Sequence, residues 1–191
     1  ERAVALDPSY SRARYDLGSL LLGVGERDAA RSQFQAVNDI RPGDPQALIA
    51  LAAIAMEEKE PAEAIQLLQS ALKRMPDFPL ALTNLAAAYE QTGEWAKAVE
   101  CYEKAFAAST PDPDSACAAA WILATGPDEA LLDGERALEL ANYAMQRKAA
   151  SALEVLAAAQ ARVGDFDKAV QIQEQAVQLE RGAGHKQELA E

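Results

Sequence analysis

Large and small apolar residues return along this chain on a beat of 34 residues. When Ser11–Asp44, Pro45–Phe78 and Pro79–Asp112 are laid under one another without gaps, the landmarks coincide. Position 7 is Leu17, Leu51 and Leu85, and position 8 is Gly18, Ala52 and Ala86. Position 20 is Ala30, Ala64 and Ala98, position 24 is Phe34, Leu68 and Tyr102, and position 27 is Val37, Ala71 and Ala105. Position 32 is Pro42 and Pro76, with Pro111 one place late. Within each unit the apolar spacing is helical, and turn residues interrupt it midway, at Gly25, at Lys59–Glu60 and at Gly93. This predicts a pair of antiparallel helices per unit. Large residues at positions 7 and 24 would fill the space between helices, while small ones at 8, 20 and 27 let the backbones approach. Pro61 is expected in the first turn of a helix, where its missing N–H costs nothing. Proline at position 32 ends the second helix and restricts the residue before it.

The same beat organises the rest of the chain. Residues 1–10, beginning "ERAVALDP", read as the tail of a preceding unit's second helix, as if the chain were excised from something longer. Residues 150–183 form another full unit, although Gln160 and Gln173 replace large apolar residues, which suggests a more solvated, terminal unit. Residues 184–191 are expected to be a tail or the start of a capping helix. Residues 113–149 are three more than one period. Anchoring on Ala137 (position 20) and Ala144 (position 27) places the second helix of this unit at about Gly134–Arg147. The first then runs from about Asp114 to Thr125, with Ala119 and Ala120 at positions 7 and 8. The excess falls in the turn "GPDEALLDG", which reads as a longer intra-unit loop and not as an active site.

Composition agrees with an all-helical chain. Of the 191 residues 50% are hydrophobic, enough for a sizeable core, but only 6% are aromatic, and alanine is abundant. That mixture favours helices packed through small side chains. A net charge of −12 argues against a nucleic-acid partner or an anionic membrane surface, both of which would repel it. No apolar stretch approaches the roughly 20 residues of a bilayer span, so direct membrane insertion of this segment is not expected. No leader sequence is visible. Cys101 and Cys117 have no CxxC or CxxH context and are read as free thiols on helices.

No constellation for catalysis emerges. His185 is the only histidine and has no second ligand type beside it in sequence, so neither a metal nor a catalytic role is expected. Asp112 and Asp114 in "TPDPDS" read as turn chemistry, followed by a helix N-cap from Asp114 or Ser115. Gly23 and Gly25 do not follow a strand, so a phosphate-cradling loop is not supported. The acidic residues of the second helices read as a solvated outer face. The chain is expected to be no enzyme, with no cofactor and no metal.

The stretch "LTNLAAAYEQTGEWAKAVECYEKAF", Leu82–Phe106, carries nearly every signature position of the tetratricopeptide repeat (TPR) motif. The chain resembles that family over essentially its whole length. "AAWILATGPD…DG", followed by "LAAAQARVGDFDKAV", is similar to the C-terminal end of bacterial multi-repeat TPR proteins, whose arrays are sometimes appended to membrane-embedded glycosyltransferase-like modules. The resemblance implies a right-handed α-solenoid and an aromatic at position 17, such as Trp95, packed within its repeat. It also implies a concave groove in which positions 2, 5, 6, 9, 12 and 13 of the first helices meet ligand. The groove residues expected to bind a peptide or partner are Arg12, Tyr15, Ser19 and Leu22 in the first full repeat and Ile49 and Met56 in the second. Thr83 and Asn84 follow in the third, and Cys117 and Trp121 in the fourth. In the fifth repeat the same positions hold Ser151, Glu154, Val155, Ala158, Ala161 and Arg162, none of them among the expected binding residues. Some chaperone-binding members clamp a C-terminal carboxylate with lysines and asparagines; here only Asn84 matches and the lysines are absent. Exposed Trp and Met beside small residues suit a helical or extended peptide docking through apolar anchors. Alternatively, Trp121 and Met56 pack against the adjacent repeat.

Three functional readings follow. The first is a protein–protein interaction scaffold that binds a peptide or partner helix in its groove. The second is an accessory or regulatory domain of a larger enzyme, such as a membrane-bound glycosyltransferase. The third is a self-association module, because apolar edges are left unpaired.

Overall fold

The computed structural model describes residues 10–108, 112–147 and 151–188, with side chains as far as 179. The expected helix tail at residues 1–10 falls almost wholly outside the described residues, as do Pro111 and the side chain of His185. Ten α-helices and one 3₁₀ turn make up the described elements, and no strand occurs among them. They gather into two compact units, one ending at Glu94 and the other starting at Trp95.

The first unit contains α1 (Ser11–Gly23), α2 (Arg27–Ile40), α3 (Pro45–Glu57), α4 (Pro61–Leu72) and α5 (Pro79–Thr92). Turns of three residues fold α2 back on α1 and α4 back on α3, which makes antiparallel neighbours. Gly25 and Gly93 sit in the left-handed region at φ 83° and 76°. Both are at position 15 of the beat, and so is Lys59, which takes φ 63° with a side chain attached. The turn is thus set by geometry at one register position, whatever residue fills it. Pro61 occupies the first turn of α4, as its missing N–H permits.

The core of this unit interlocks position by position. Leu51 and Ile54 of α3 cluster with Ala30 and Phe34 of α2, and Tyr15, Leu21, Leu22, Ala50 and Leu67 pack around them. In register terms, positions 7 and 10 of one first helix meet positions 20 and 24 of the preceding pair. Gly18 is required by this packing, since a Cβ there would lie 2.9 Å from the Phe34 ring. α5 packs on α4 in the same sense, and Ala52, Ala64 and Leu68 are fully buried.

The second unit contains α6 (Trp95–Ala107), α7 (Pro113–Thr125), a 3₁₀ turn (Glu129–Leu131), α8 (Gly134–Gln146), α9 (Ala152–Arg162) and α10 (Phe166–Glu188). α7 packs on α6, α8 folds back on α7, α9 packs on both α7 and α8, and α10 returns along α9. The N-cap of α7 is Asp112, and not the expected Asp114 or Ser115. Pro113 takes the first helical position, so the carboxylate one residue earlier accepts the Asp114 and Ser115 amides and the Ser115 hydroxyl at 2.6 Å.

The long turn between α7 and α8 is tied down at several points. Asp128 caps the 3₁₀ turn, Asp133 caps α8 by accepting from the Arg136 amide, and the Asp133 amide donates to the Leu123 carbonyl. Gly134 lies so close to the end of α9 that a Cβ would come 2.8 Å from Arg162 Cγ. Arg162 in turn donates through Nε to the Ala124 carbonyl at 2.7 Å. The extra residues therefore form a structural bracket. α10 runs on past residue 183 to Glu188.

Candidate functional site

The ten expected groove residues divide by burial. Ile49 and Cys117 point inward and are buried, so they act in packing and offer no contact surface. Tyr15 is half-buried, with its ring edge-on to Phe34 at 5.4 Å, and Leu22 packs on the same cluster. Met56, Thr83 and Asn84 are half-buried. Arg12 and Ser19 are exposed but engaged locally, Arg12 in an ion pair with Asp16 at 3.0 Å and Ser19 donating to the Tyr15 carbonyl. Trp121 alone combines large apolar area with exposure, at 48%. About half of it stays open, beside the α9 alanines of the next repeat.

Trp121 forms one wall of an apolar trough of about 490 Å³ within the second unit. The floor is alanine: Ala157, Ala158 and Ala161 from α9 and Ala169 from α10. Phe166 and Val170 of α10 form the opposite wall, 67% and 57% exposed. Besides the Trp121 indole N–H, Glu154 and Gln173 are the polar side chains among the described residues that line it. Sequence reasoning took in Glu154, Ala158 and Ala161 but missed Phe166 and Val170. The signal was there, since Phe166 falls on the aromatic position 17 and Gln173 replaces the large apolar residue at position 24. What the pattern lacked was any sign of their exposure among the described residues.

A second cleft of about 670 Å³ lies beside the bracket loop, lined in part by Val99, Leu131, Leu132 and Arg136. Its two arginines are already engaged, because Arg136 donates to Glu103 at 2.8 Å and Glu139 at 2.6 Å, and Arg162 donates to the Ala124 carbonyl at 2.7 Å. The thiols offer no reactive centre. Burial pushes Cys101 up to about 11, and burial likewise raises Cys117, so both stay protonated at neutral pH. Among the described residues no group of His, Cys, Asp and Glu could hold a metal ion, and no helix is long and apolar enough to cross a membrane.

Comparison with known proteins fits this helical geometry. Models described as tetratricopeptide repeat match residues 1–45, 15–79, 55–122 and 150–175. The chain is a tetratricopeptide repeat protein. Its fold matches the crystal structure of MamA with a TM-score of 0.75 at 19% identity, covering 92% of this chain and 94% of that one. It also matches YrrB, described as a TPR protein with an unusual peptide-binding site, with a TM-score of 0.76 at 14% identity, covering 93% and 90%. In sequence, this TPR chain is 31% identical over 106 residues to the human "Protein O-mannosyl-transferase TMTC3". That match covers 54% of the chain but spans only 12% of the human protein.

Proposed function

We propose that this protein–protein interaction scaffold receives an amphipathic α-helix of a protein partner in the trough between α9 and α10. The observation that carries the proposal is the exposed apolar wall of Trp121, Phe166 and Val170 around an alanine floor. A helix suits the trough better than an extended peptide for a reason of hydrogen bonding. The walls are helices whose backbone groups are already paired, and among the described residues only Glu154, Gln173 and the Trp121 indole N–H could answer a peptide's polar backbone. An extended segment would bury unpaired N–H and C=O groups, whereas a helix satisfies its own. Within the first unit, Arg12, Tyr15, Ser19, Leu22, Met56, Thr83 and Asn84 remain proposed partner contacts in their own right, with Ile49 buried among the same helices; Cys117 is buried on the helix that carries Trp121. That YrrB, a protein of the same fold, has a peptide-binding site supports the reading.

The test uses a capped peptide of residues 78–92, an interior first helix of this chain, titrated into a Trp95→Phe background so that Trp121 is the only reporter. Saturable blue-shifting of its emission is expected, with Val170→Glu weakening the binding at least tenfold, about 1.4 kcal/mol. An emission spectrum that does not respond would sink the trough as a helix site.

A second reading rests on the match to the mannosyltransferase. This segment would then be the accessory module of a larger transferase, holding an acceptor protein or an assembly partner while chemistry occurs elsewhere. Deleting residues 11–183 from such a parent should lower transfer to protein acceptors while the isolated chain transfers nothing. Transfer that survives the deletion unchanged would dismiss this reading.

A further inference from the structure

We infer that the face between α7 and α9 selects a partner helix carrying one basic and one acidic residue two turns apart, the base set over Glu154 and the acid over Arg162. The inference rests on the helix site proposed above, and it adds the charge pattern of the partner. The face is made by two successive first helices that pack on each other, and it uses nothing of α10. Trp121 and Thr125 stand one turn apart on α7, opposite Ala158 and Ala161 of α9. The trough beside Trp121 and a smaller cleft of about 270 Å³ beside Thr125 share those two alanines, so the face is continuous. Thr125 already donates its hydroxyl to the Trp121 carbonyl at 2.8 Å. The middle of the face therefore offers a ligand apolar contact, centred on the half-open Trp121 ring.

The ends of the face are oppositely charged. Glu154 lines it beside Trp121, and Arg162 lines it eight residues further along α9, beside Thr125. Eight residues of helix rise about 12 Å, close to the rise between positions i and i+7 of a docked helix. Both side chains are exposed, and neither is in an ion pair among the described residues. Arg162 is held through Nε on the Ala124 carbonyl at 2.7 Å, which fixes the guanidinium in place but leaves its charge unanswered. A helix laid across the face draws both charges out of water, and that is costly unless opposite charges meet them. The net charge of −12 by itself favours a uniformly basic partner. At this face such a partner would set a second cation against Arg162, so the local pattern and the overall charge ask for different ligands. At contact distance the local pattern wins, because surface charges further off than about 8 Å are largely screened at physiological salt.

Trp121 emission in the whole chain carrying Trp95→Phe tests this with the peptide of residues 78–92, in which Thr83 and Glu90 lie seven residues apart on one helix face. Thr83→Lys gives a base and an acid, and adding Glu90→Lys gives two bases. Thr83→Glu gives two acids, and Glu90→Gln leaves neither. The base-and-acid peptide should bind tightest, by about two- to fivefold for each charge over the neutral one, and should surpass the doubly basic one. Its advantage should vanish at about 1 M salt, where the screening length is about 3 Å. In the protein, Glu154→Gln should cancel the gain from the lysine, and Arg162→Gln the gain from Glu90. Helical circular dichroism checks that losing the Ala124 contact leaves the fold intact, and Glu154→Gln, which breaks no contact, decides the matter if it does not. Any other peptide binding as tightly as the base-and-acid form, or gains that survive Glu154→Gln, would overturn the inference while the helix site stands. If no peptide shifts Trp121, both fall.

Discussion

Lys59 sits at φ 63°, where Gly25, Gly93 and Gly164 occupy the equivalent turns at φ 83°, 76° and 88°. A side chain in the left-handed region costs roughly 1–2 kcal/mol, part of which glycine returns as chain entropy. Lys59→Gly should therefore stabilise the chain by about 1 kcal/mol in urea denaturation. A loss of stability would mean that the Lys59 side chain makes a contact outweighing the strain. Gly18 presents the opposite case. Alanine there gains helix propensity but puts its methyl against the fully buried Phe34 ring, so Gly18→Ala should cost about 1–3 kcal/mol. Gly23, where a methyl would meet nothing within 4 Å, should gain up to about 1 kcal/mol from the same change. Comparing the two melts separates packing from propensity.

At the scale of the element, helix ends and turns decide how each repeat is held. Asp112 accepts two amides and one hydroxyl at the start of α7, whereas the Asp114 carboxylate lies within the first turn and caps nothing. Asp112→Ala should cost about 0.5–2 kcal/mol by thermal melting, and Asp114→Ala only a few tenths. Equal losses would return the cap to Asp114. The bracket between α7 and α8 follows the same logic, with Asp128, Asp133 and Arg162 each satisfying a backbone group that a plain loop would leave to water.

For the molecule as a whole, stability and recognition rest on different residues. In repeat arrays stability is close to a sum of repeat and neighbour terms, so a buried junction residue matters in proportion to what it fills. Leu68 is fully buried beneath the following helix, and Leu68→Ala should cost about 2–5 kcal/mol. Val170→Glu, at the exposed wall of the trough, should change stability by less than about 0.5 kcal/mol while weakening the binding of a helical peptide. Urea melts of both variants check the separation, and a severe loss from Val170→Glu would place that residue in the core instead.

The period of 34 residues was enough to pair α1 with α2, α3 with α4, α7 with α8 and α9 with α10, to locate the turns at position 15 and to assign Pro61 and the long turn before Gly134, because helix and turn formation depend on neighbours in sequence. The alternation of large and small side chains also predicted that Leu51 and Phe34, at positions 7 and 24, fill the space beside the small Ala30 at position 20. What the pattern could not decide is which face of a given helix is covered. Ile49 and Cys117 share register positions with groove residues elsewhere, yet burial by adjacent helices removes them from the surface. Phe166 sits where an aromatic was expected to pack within its repeat, yet it stands exposed, and so does Leu20 at a position every other first helix buries. Asp112 captured the cap from Asp114 because the proline between them set the first helical residue. Local periodicity specifies the repeat, but exposure depends on what lies against it, and only the packed chain decides that.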